Sequence, residues 1–344
     1  MKKRVTVVIP THERHHLLEK RVLPHYLSFG IPILVIDSSP NPYQPAIDNP
    51  NIDYIHCPGE PFPHKMKSPV LKHVKTPYMF MNADDTVNSK TAIRKCLAFL
   101  EKEQDFSSVM GLVFQCRKNN IKAIDCSNHI FLDFPVTSDK AGERMLQAFV
   151  KFNTTFYAVT RTECWHEILK RLPQEIVNYY LTETYVDMMM AAHGKHATLP
   201  LFYAATEAGP SINDQDPRFH CSPFKLATER RYAGEVTATK KAVTQFIQEL
   251  SGLSEEHAAN YTNGALALYW LQDKPIKSLG DRIRIEWTHF LNKTFQKSAY
   301  KKQKAEKKAV LVEKQQIGTQ MSFELIGQSG REECKQLVSI IQNS

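Results

Sequence analysis

The sequence predicts an α/β fold, a mainly parallel sheet with flanking helices followed by a helical C-terminal region. Three observations carry that expectation. Short apolar runs alternate with helix-like segments over the first 115 or so residues. Those runs are continuous rather than alternating, which is the pattern of strands buried on both faces. After Pro223 the strand signals stop and long amphipathic stretches take over.

In chain order, Val5 to Ile9 is a β-rich run, and Thr11 is placed to cap a helix whose apolar positions include Leu17, Leu18, Val22 and Leu23. Ile31 to Ile36, interrupted by Pro32, reads as a second strand ending at Asp37, and Ile52 to His56 as a weaker third. A helix is expected over His64–Val74, a fourth strand over Tyr78–Met81, a helix over Val87–Glu103 and a fifth strand over Val109–Phe114. Further strands are expected at Phe156–Val159 and Ala197–Tyr203, with helices at 139–151, 162–171 and 183–194. Gly194 is expected to end the last of these as a C′ glycine. Helices over 224–250, 254–271 and 282–295 follow, which divides the chain into a domain of 1–215 and a mainly helical region of 216–344.

Composition narrows the function classes. With 44 Lys+Arg against 36 Asp+Glu in 344 residues the formal net charge is +8, which suits either a merely solvated basic surface or an anionic partner: nucleic acid, an anionic membrane surface or a small anion. The 18 Phe, 13 Tyr and 3 Trp exclude intrinsic disorder. No stretch approaches the roughly 20 apolar residues of a membrane span. The run after Met1-Lys2-Lys3-Arg4 is too short for a signal peptide and meets His12-Glu13-Arg14-His15-His16 where a cleavage site would fall. The 7 Cys form no C-x-x-C pair, which argues against a zinc ribbon or thioredoxin-type motif, and the odd count points to reduced thiols in a cytoplasm. Basic residues are scattered and no RNP-like motif is present, so nucleic acid is not the expected partner. Lys293, Lys297, Lys301, Lys302, Lys304, Lys307 and Lys308 cluster in the segment 293–308, a solvated helix face by default and a candidate for peripheral contact with an inner membrane surface. A homo-oligomer is compatible with the sequence.

His12-Glu13-Arg14-His15-His16 matches H-E-x-x-H literally. That zinc motif needs both histidines one turn apart inside a formed helix, and here it follows a strand and a proline, where an exposed turn is expected. The sharper constellation lies at strand ends, because open α/β sheets bind ligands at the carboxyl ends of their strands. Strand one ends at Pro10-Thr11-His12-Glu13-Arg14, strand two at Asp37-Ser38-Ser39 and strand four at Asn82-Ala83-Asp84-Asp85. Adjacent carboxylates after a strand suit a hard cation, Mn²⁺ or Mg²⁺, shared with a diphosphate; taken alone, such a pair is more often a turn or helix cap.

The segments Val7–Arg14, Val35–Ser39 and Tyr78–Asp85 resemble the three landmarks of GT-A glycosyltransferases of the family 2 type, V-S-V-V-I-P-T-Y-N-R, V-V-D-D-G-S and Y-I-x-x-L-D-A-D-D. The resemblance is clear over residues 4 to 100, extends to about 205 and ends there. It implies a Rossmann-like nucleotide-sugar domain, a divalent metal, and inverting transfer from a nucleoside-diphosphate sugar, with a UDP-sugar favoured, to a glycan or lipid-linked acceptor. Carried over by position, Pro10, Thr11, Glu13 and Arg14 line the nucleotide pocket, Asp37 holds the base or ribose, Asp84 the ribose and Asp85 the metal. Two positions depart from the pattern: Asn82 stands at the first acid of D-x-D, and Ser38 at the second acid of D-D-G-S.

Inverting enzymes of this kind need a carboxylate base for the acceptor hydroxyl, which the family places at a helix start in an E-D-x-x-L segment. Here Leu181–Met190 occupies that place and offers Asp187 first and Glu183 second, i, i+4 on one helical face. The alternative for either is an acid complementing the helix dipole. Lys65 and Lys67 stand where a residue often faces the donor; Lys65 can neutralise diphosphate, and a solvent-facing helix lysine is the plainer reading of both. Met188, Met189, Met190 and Trp165 read as core. Two other classes stay open: a degenerate GT-A domain that binds glycans or partners without turnover, and a nucleotidyltransferase, which lacks support because no glycine follows strand one.

Overall fold

The computed structural model describes residues 1, 3–44, 48–116, 126–129, 136–150, 154–207, 221–271 and 323–343. Its strands are β1 Val5–Thr11, β2 Ile33–Asp37, β3 Ile52–His56, β4 Tyr78–Met81, β5 Thr86–Asn88, β6 Phe106–Cys116, β7 Cys126–His129, β8 Val159–Arg161 and β9 Lys195–Glu207. Among the described residues they form one sheet in the order β3-β2-β1-β4-β8-β6-β9-β5, with β7 beside β6.

The N-terminal half is parallel, as the unbroken apolar runs require. β1 pairs with β2 on one side and β4 on the other, and β2 pairs with β3. The chain therefore winds outward from β1 in one direction and then returns to its other flank, which creates a switch point at the carboxyl ends of β1 and β4. Register brings those ends level: Thr11 lies opposite Asp37, and Val8 opposite Met81. The second half departs from the expectation of a mainly parallel sheet. β8 runs antiparallel between β4 and β6, β5 and β7 are antiparallel to β9 and β6, and only β6 and β9 pair in parallel. β8 also begins at Val159 rather than Phe156, because its pairing is decided by Tyr78 and Met79 of β4, opposite Arg161 and Thr160. β2 begins at Ile33, after Pro32, whose missing N–H cannot join the ladder.

The first helical segment differs from the expected single helix. Thr11 is the last residue of β1, the chain then turns through Glu13 at φ 54°, and α1 covers only His15–Leu17. A π-helical turn, Leu18–Val22, leads into α2, Leu23–Leu27, where Pro24 has no N–H to continue the i→i−4 ladder. This path drives Leu18, Val22, Leu23 and Tyr26 into the core together with Arg21. The helices α3 Phe62–His73, α4 Lys90–Lys102, α5 Ala141–Val150 and α6 Thr162–Lys170 follow the expected positions within a few residues. α4 starts where the Ser89 hydroxyl accepts from the Ala92 N–H at 2.9 Å.

α7, Tyr179–His193, begins a turn earlier than the apolar periodicity suggests, because Asn178 caps it by accepting from the Leu181 N–H at 3.1 Å. Gly194 ends it in extended backbone, not in the left-handed conformation of a C′ glycine. The requirement for glycine is instead one of space: a Cβ at 194 would lie 2.7 Å from the Ser107 Cβ of β6.

Two cores flank the sheet. On one face α2 and α4 bury Tyr26, Ile93, Leu97 and Leu100 against Val7, Ile9 and Phe80. On the other, Met188, Met189 and Met190 of α7 and Trp165 of α6 join Phe149 of α5, as the core reading of those residues anticipates. The helices Ala233–Ser251 and Glu255–Leu271 belong to this same cluster through Val243, Phe246, Ile247, Leu266 and Tyr269, so these residues after 216 share a core with the sheet and its first helices. The helix 323–343 returns to the far end of the sheet, where Cys334, Leu337, Val338 and Ile341 pack on Val87, Leu112, Phe114 and Phe202. Arg21, fully buried, fastens it by donating to the Ile341 carbonyl at 3.0 Å and to Glu207 at 2.8 Å. No helix of the described residues is long and apolar enough to cross a membrane. The expected helix 282–295 and the lysine-rich segment 293–308 lie outside the described residues.

Gly194→Ala is expected to destabilise the protein by about 1–3 kcal/mol through this overpacking. The Ser107→Gly/Gly194→Ala pair should recover part of the loss in a denaturant-unfolding cycle, whereas strictly additive losses would disprove the steric account.

Candidate functional site

A cavity of about 580 Å³ opens at the carboxyl ends of β1, β2 and β4. One wall is polar, with Pro10, Thr11, His12 and Arg14 from the end of β1, Ser38 from β2, Lys65 from α3, and Asp84 and Asp85 after β4. A second wall is aromatic, with Phe62 of α3, Phe156 and Tyr157 before β8, and Tyr179 at the start of α7.

The polar wall is organised by Arg14. Its Nη1 donates to Asp84 Oδ1 at 2.7 Å and to Asp85 Oδ2 at 3.2 Å, while the Thr11 hydroxyl donates to Asp84 Oδ2 at 2.8 Å. Burial pushes the Asp84 carboxyl up and Arg14 opposes it, leaving the group above its ordinary range. For Arg14, burial disfavours the charge, yet Asp84 and Asp85 together outweigh it and hold the guanidinium above its usual value. Asp85 is only half-buried, and its Oδ1 accepts from the Thr86 hydroxyl at 3.0 Å.

Lys65 is not a solvent-facing helix lysine. It is 5% exposed, and its Nζ donates at 2.9 Å both to the Thr11 carbonyl and to the Ser38 hydroxyl. Burial lowers its pKa to about 8, against the pull of Cys57, Asp84 and Asp37. Ser38, in the place of a second acid, thus accepts from a cation and also meets His12 Nδ1 at 3.1 Å. Lys67 lies away from the cavity and donates to the Leu172 carbonyl at 3.3 Å.

Asn82 has a structural reason to be an amide. It is 1% exposed, and its Nδ2 donates to the Ala83 carbonyl at 2.6 Å and the Thr86 carbonyl at 2.9 Å, closing the turn that presents Asp84 and Asp85. An aspartate would set a carboxylate oxygen against two carbonyls.

Two expected nucleotide ligands are not on the cavity wall. Asp37 is fully buried and saturated: Oδ1 accepts from the Ser39 N–H and hydroxyl at 2.9 and 2.5 Å, Oδ2 from Tyr54 at 2.5 Å, and Oδ2 meets His15 Nε2 at 2.7 Å. Burial raises its pKa, but these partners outweigh burial and leave it below the ordinary value. Glu13 is exposed, and its left-handed backbone serves to send its N–H to the Ser39 hydroxyl at 2.8 Å. The same turn separates His12 from the helix holding His16, so H-E-x-x-H does not form a helical pair; among the described residues no group of three or more His, Cys, Asp or Glu is set to hold a metal.

The two candidate bases differ in depth. Glu183 Oε1 accepts from the Tyr157 and Tyr179 hydroxyls at 2.8 and 2.7 Å, directly behind the aromatic wall. Burial raises its pKa, and the two hydroxyls partly offset that. Asp187, expected first, lies one turn further from the cavity and 1% exposed, with Oδ1 accepting from the Thr155 N–H and hydroxyl at 2.7 and 2.8 Å. Burial raises it to about 8, opposed by Thr155 and reinforced by Glu183. Its Oδ2 has no partner among the described residues, as suits a neutral carboxyl. The aromatic wall was not anticipated. Tyr179 carries a local signal, four residues before Glu183 on one helical face; Phe62, Phe156 and Tyr157 reach the cavity through long-range packing alone.

No protein-family model matches the sequence, and no curated protein matches it. Among solved structures, S. aureus TarS 1-349 in complex with UDP-GlcNAc is similar at a TM-score of 0.41 and 12% identity over 80% of this chain and 93% of that one. The complex of TarS 1-349 with UDP is similar at 0.38 and 13% identity, over 80% and 93%. A further TarS structure gives 0.39 and 13% over 78% of this chain, which spans about half, 55%, of that chain's length.

Asn82→Asp should lower stability by about 1–3 kcal/mol, the cost of losing buried donated bonds, read as a drop in thermal midpoint at neutral pH. For Asp187 the sign is set by a folded-state pKa of about 8 against an ordinary 3.8. Between these values the folded state keeps a proton that the unfolded chain has released, so stability falls as pH rises. Asp187→Asn, which cannot ionise, should therefore gain thermal midpoint relative to the native protein from pH 5 to pH 8; a native–variant difference independent of pH would refute the assignment.

Proposed function

We propose that this protein is a glycosyltransferase of the GT-A, family 2 kind, moving a sugar with inversion from a nucleoside-diphosphate sugar to a hydroxyl of a glycan or lipid-linked acceptor. The observation that carries the reading is a single cavity with Lys65 and Arg14 beside Asp84 and Asp85 on one wall and Glu183-linked tyrosines on the other. Its volume, about 580 Å³, lies within the range of small-molecule sites.

In this reading the polar wall takes the donor and the aromatic wall the acceptor. Pro10, Thr11 and Asp84 meet the nucleoside, and Lys65 and Arg14 offset the diphosphate charge that grows as the glycosidic bond to phosphate breaks. Asp37 and Glu13 act one layer back, holding the turn on which Thr11 and Arg14 stand. Glu183 is the preferred base, because it alone of the two carboxylates reaches the cavity through hydroxyls on its wall. Mn²⁺ or Mg²⁺ would be held here by Asp85, which is only half-buried, since Asp84 is engaged by Thr11 and Arg14. When bound, the ion adds positive charge against the leaving diphosphate. Arg14, already bridging both carboxylates, supports metal-free donor binding as well.

Calorimetry with UDP-, GDP- and CMP-sugars, with and without Mn²⁺, tests the reading, with a UDP-sugar expected to bind. UDP affinity should weaken as pH rises through about 8, where Lys65 loses its proton. Lys65→Met should bind UDP roughly tenfold more weakly near neutral pH and lose that pH dependence, in keeping with one charge-assisted contact. Asp85→Ala should abolish any enhancement by Mn²⁺. No binding of any nucleotide-sugar would overturn the assignment in favour of a binding module of another kind, the alternative that Asn82 in place of an acid favours.

A further inference from the structure

Glu183 does not stand on the cavity wall; Tyr157 and Tyr179 do. Resting on the transferase reading above, we infer that Tyr157, Tyr179 and Glu183 form one proton-accepting relay, in which a tyrosine hydroxyl, and not the carboxylate, faces the reacting oxygen of the acceptor.

The three oxygens form a closed triangle. Tyr157 and Tyr179 lie 2.8 and 2.7 Å from Glu183 Oε1, and their own hydroxyl oxygens are 2.7 Å apart. All three edges have hydrogen-bond length, and each edge needs a hydrogen. With Glu183 ionised the triangle holds two, one on each tyrosine, so one short edge is left unfilled. A third proton fills it, and each oxygen then donates once and accepts once. The cluster is thus built to take up one proton and to gain a hydrogen bond on doing so. Aromatic packing fixes the two rings in place: Phe62 lies edge-on against Tyr179 with centroids 4.6 Å apart, and Phe156 against Tyr157 at 5.0 Å. Asp85 is near enough to act on Tyr157 and favours uptake as well. Lys65 lies over the Phe62 ring at 5.7 Å, and its Nζ is engaged by the Thr11 carbonyl and the Ser38 hydroxyl.

The step balances as follows. The acceptor O–H bond breaks and its proton passes to the facing tyrosine oxygen, while that tyrosine's proton passes to Glu183 Oε1. The freed oxygen lone pair forms the bond to the anomeric carbon, and the bond from that carbon to the diphosphate oxygen breaks, its electron pair leaving on the nucleoside diphosphate. Glu183 returns its proton to solvent after product release. In the absence of a glycan, water serves as acceptor in the same step.

The test is hydrolysis of UDP-GlcNAc and UDP-glucose by the full chain, with UDP affinity measured in parallel. Tyr157→Phe/Tyr179→Phe should lower kcat about 100-fold or more while leaving the Kd for UDP within about threefold. Each single variant should lose less, because one hydroxyl remains. In mixtures of H₂O and D₂O, kcat of the native protein should fall along a curved line, as two protons in flight require. Glu183→Gln, equally isosteric, should lose kcat to the same extent and decides the matter if the double variant does not fold. A double variant or Glu183→Gln with kcat within threefold of native, or a linear solvent-isotope dependence, would overturn the relay while leaving the transferase intact. A native chain that binds or hydrolyses neither nucleotide-sugar would overturn the transferase reading and the relay with it.

Discussion

Two adjacent carboxylates at the end of a buried strand repel each other, and the site depends on how that repulsion is answered. Arg14 answers it by reaching from the end of β1 to Asp84 and Asp85 after β4. To stand there, Arg14 must follow a turn in which Glu13 takes the left-handed conformation, which is uncommon for a residue with a Cβ. That turn is held by the Glu13 N–H on Ser39, and Ser39 is in turn held by Asp37. Tyr54 and His15 complete the set around Asp37. The polar groups at the ends of β1, β2 and β4 are thereby drawn into one floor, on which a second cation, Lys65, is seated.

The aromatic wall rests on α7. The later turns of this helix are buried all round, with Met188, Met189 and Met190 in the core, while its first turns present Tyr179 to the cavity with Glu183 behind it. The later helices bear on the same element: Glu235 accepts from the Val177 and Asn178 N–H groups at 2.9 and 2.8 Å, fixing the point at which α7 starts. Through Glu235, the helix Ala233–Ser251 thus braces the start of α7. At the far end of the sheet, Glu207 links Arg21 to Asp85 through its own N–H on the Asp85 carbonyl at 3.0 Å.

Much of the fold was legible in the chain because a strand buried on both faces must be apolar throughout, and Val5–Ile9, Ile33–Ile36 and Tyr78–Met81 are. β8 was displaced in the reading because a three-residue strand carries little pattern of its own and takes its register from β4. The first helix was mistaken for a regular one, since apolar periodicity does not reveal a π turn. At the site, Thr11, Arg14, Asp84 and Asp85 were legible as strand-end residues and are brought together, joined by Lys65, whose helix position alone favours a solvent-facing side chain. Asp37 and Glu13 were legible too, yet they serve the wall from behind it. The choice between Asp187 and Glu183 could not be read, because residues four apart share a helical face, and a shared face does not say which lies deeper.

Local chemistry, then, was enough to place the parallel strands and the cluster of polar residues at their ends, since each depends on neighbours close in sequence. The aromatic wall, the burial of Lys65, the amide role of Asn82 and the pairing of Glu183 with Tyr157 and Tyr179 came from packing. Each of these joins residues distant in the chain or depends on what surrounds them, and burial and hydrogen-bond saturation are properties of a three-dimensional neighbourhood. A one-dimensional pattern does not encode them.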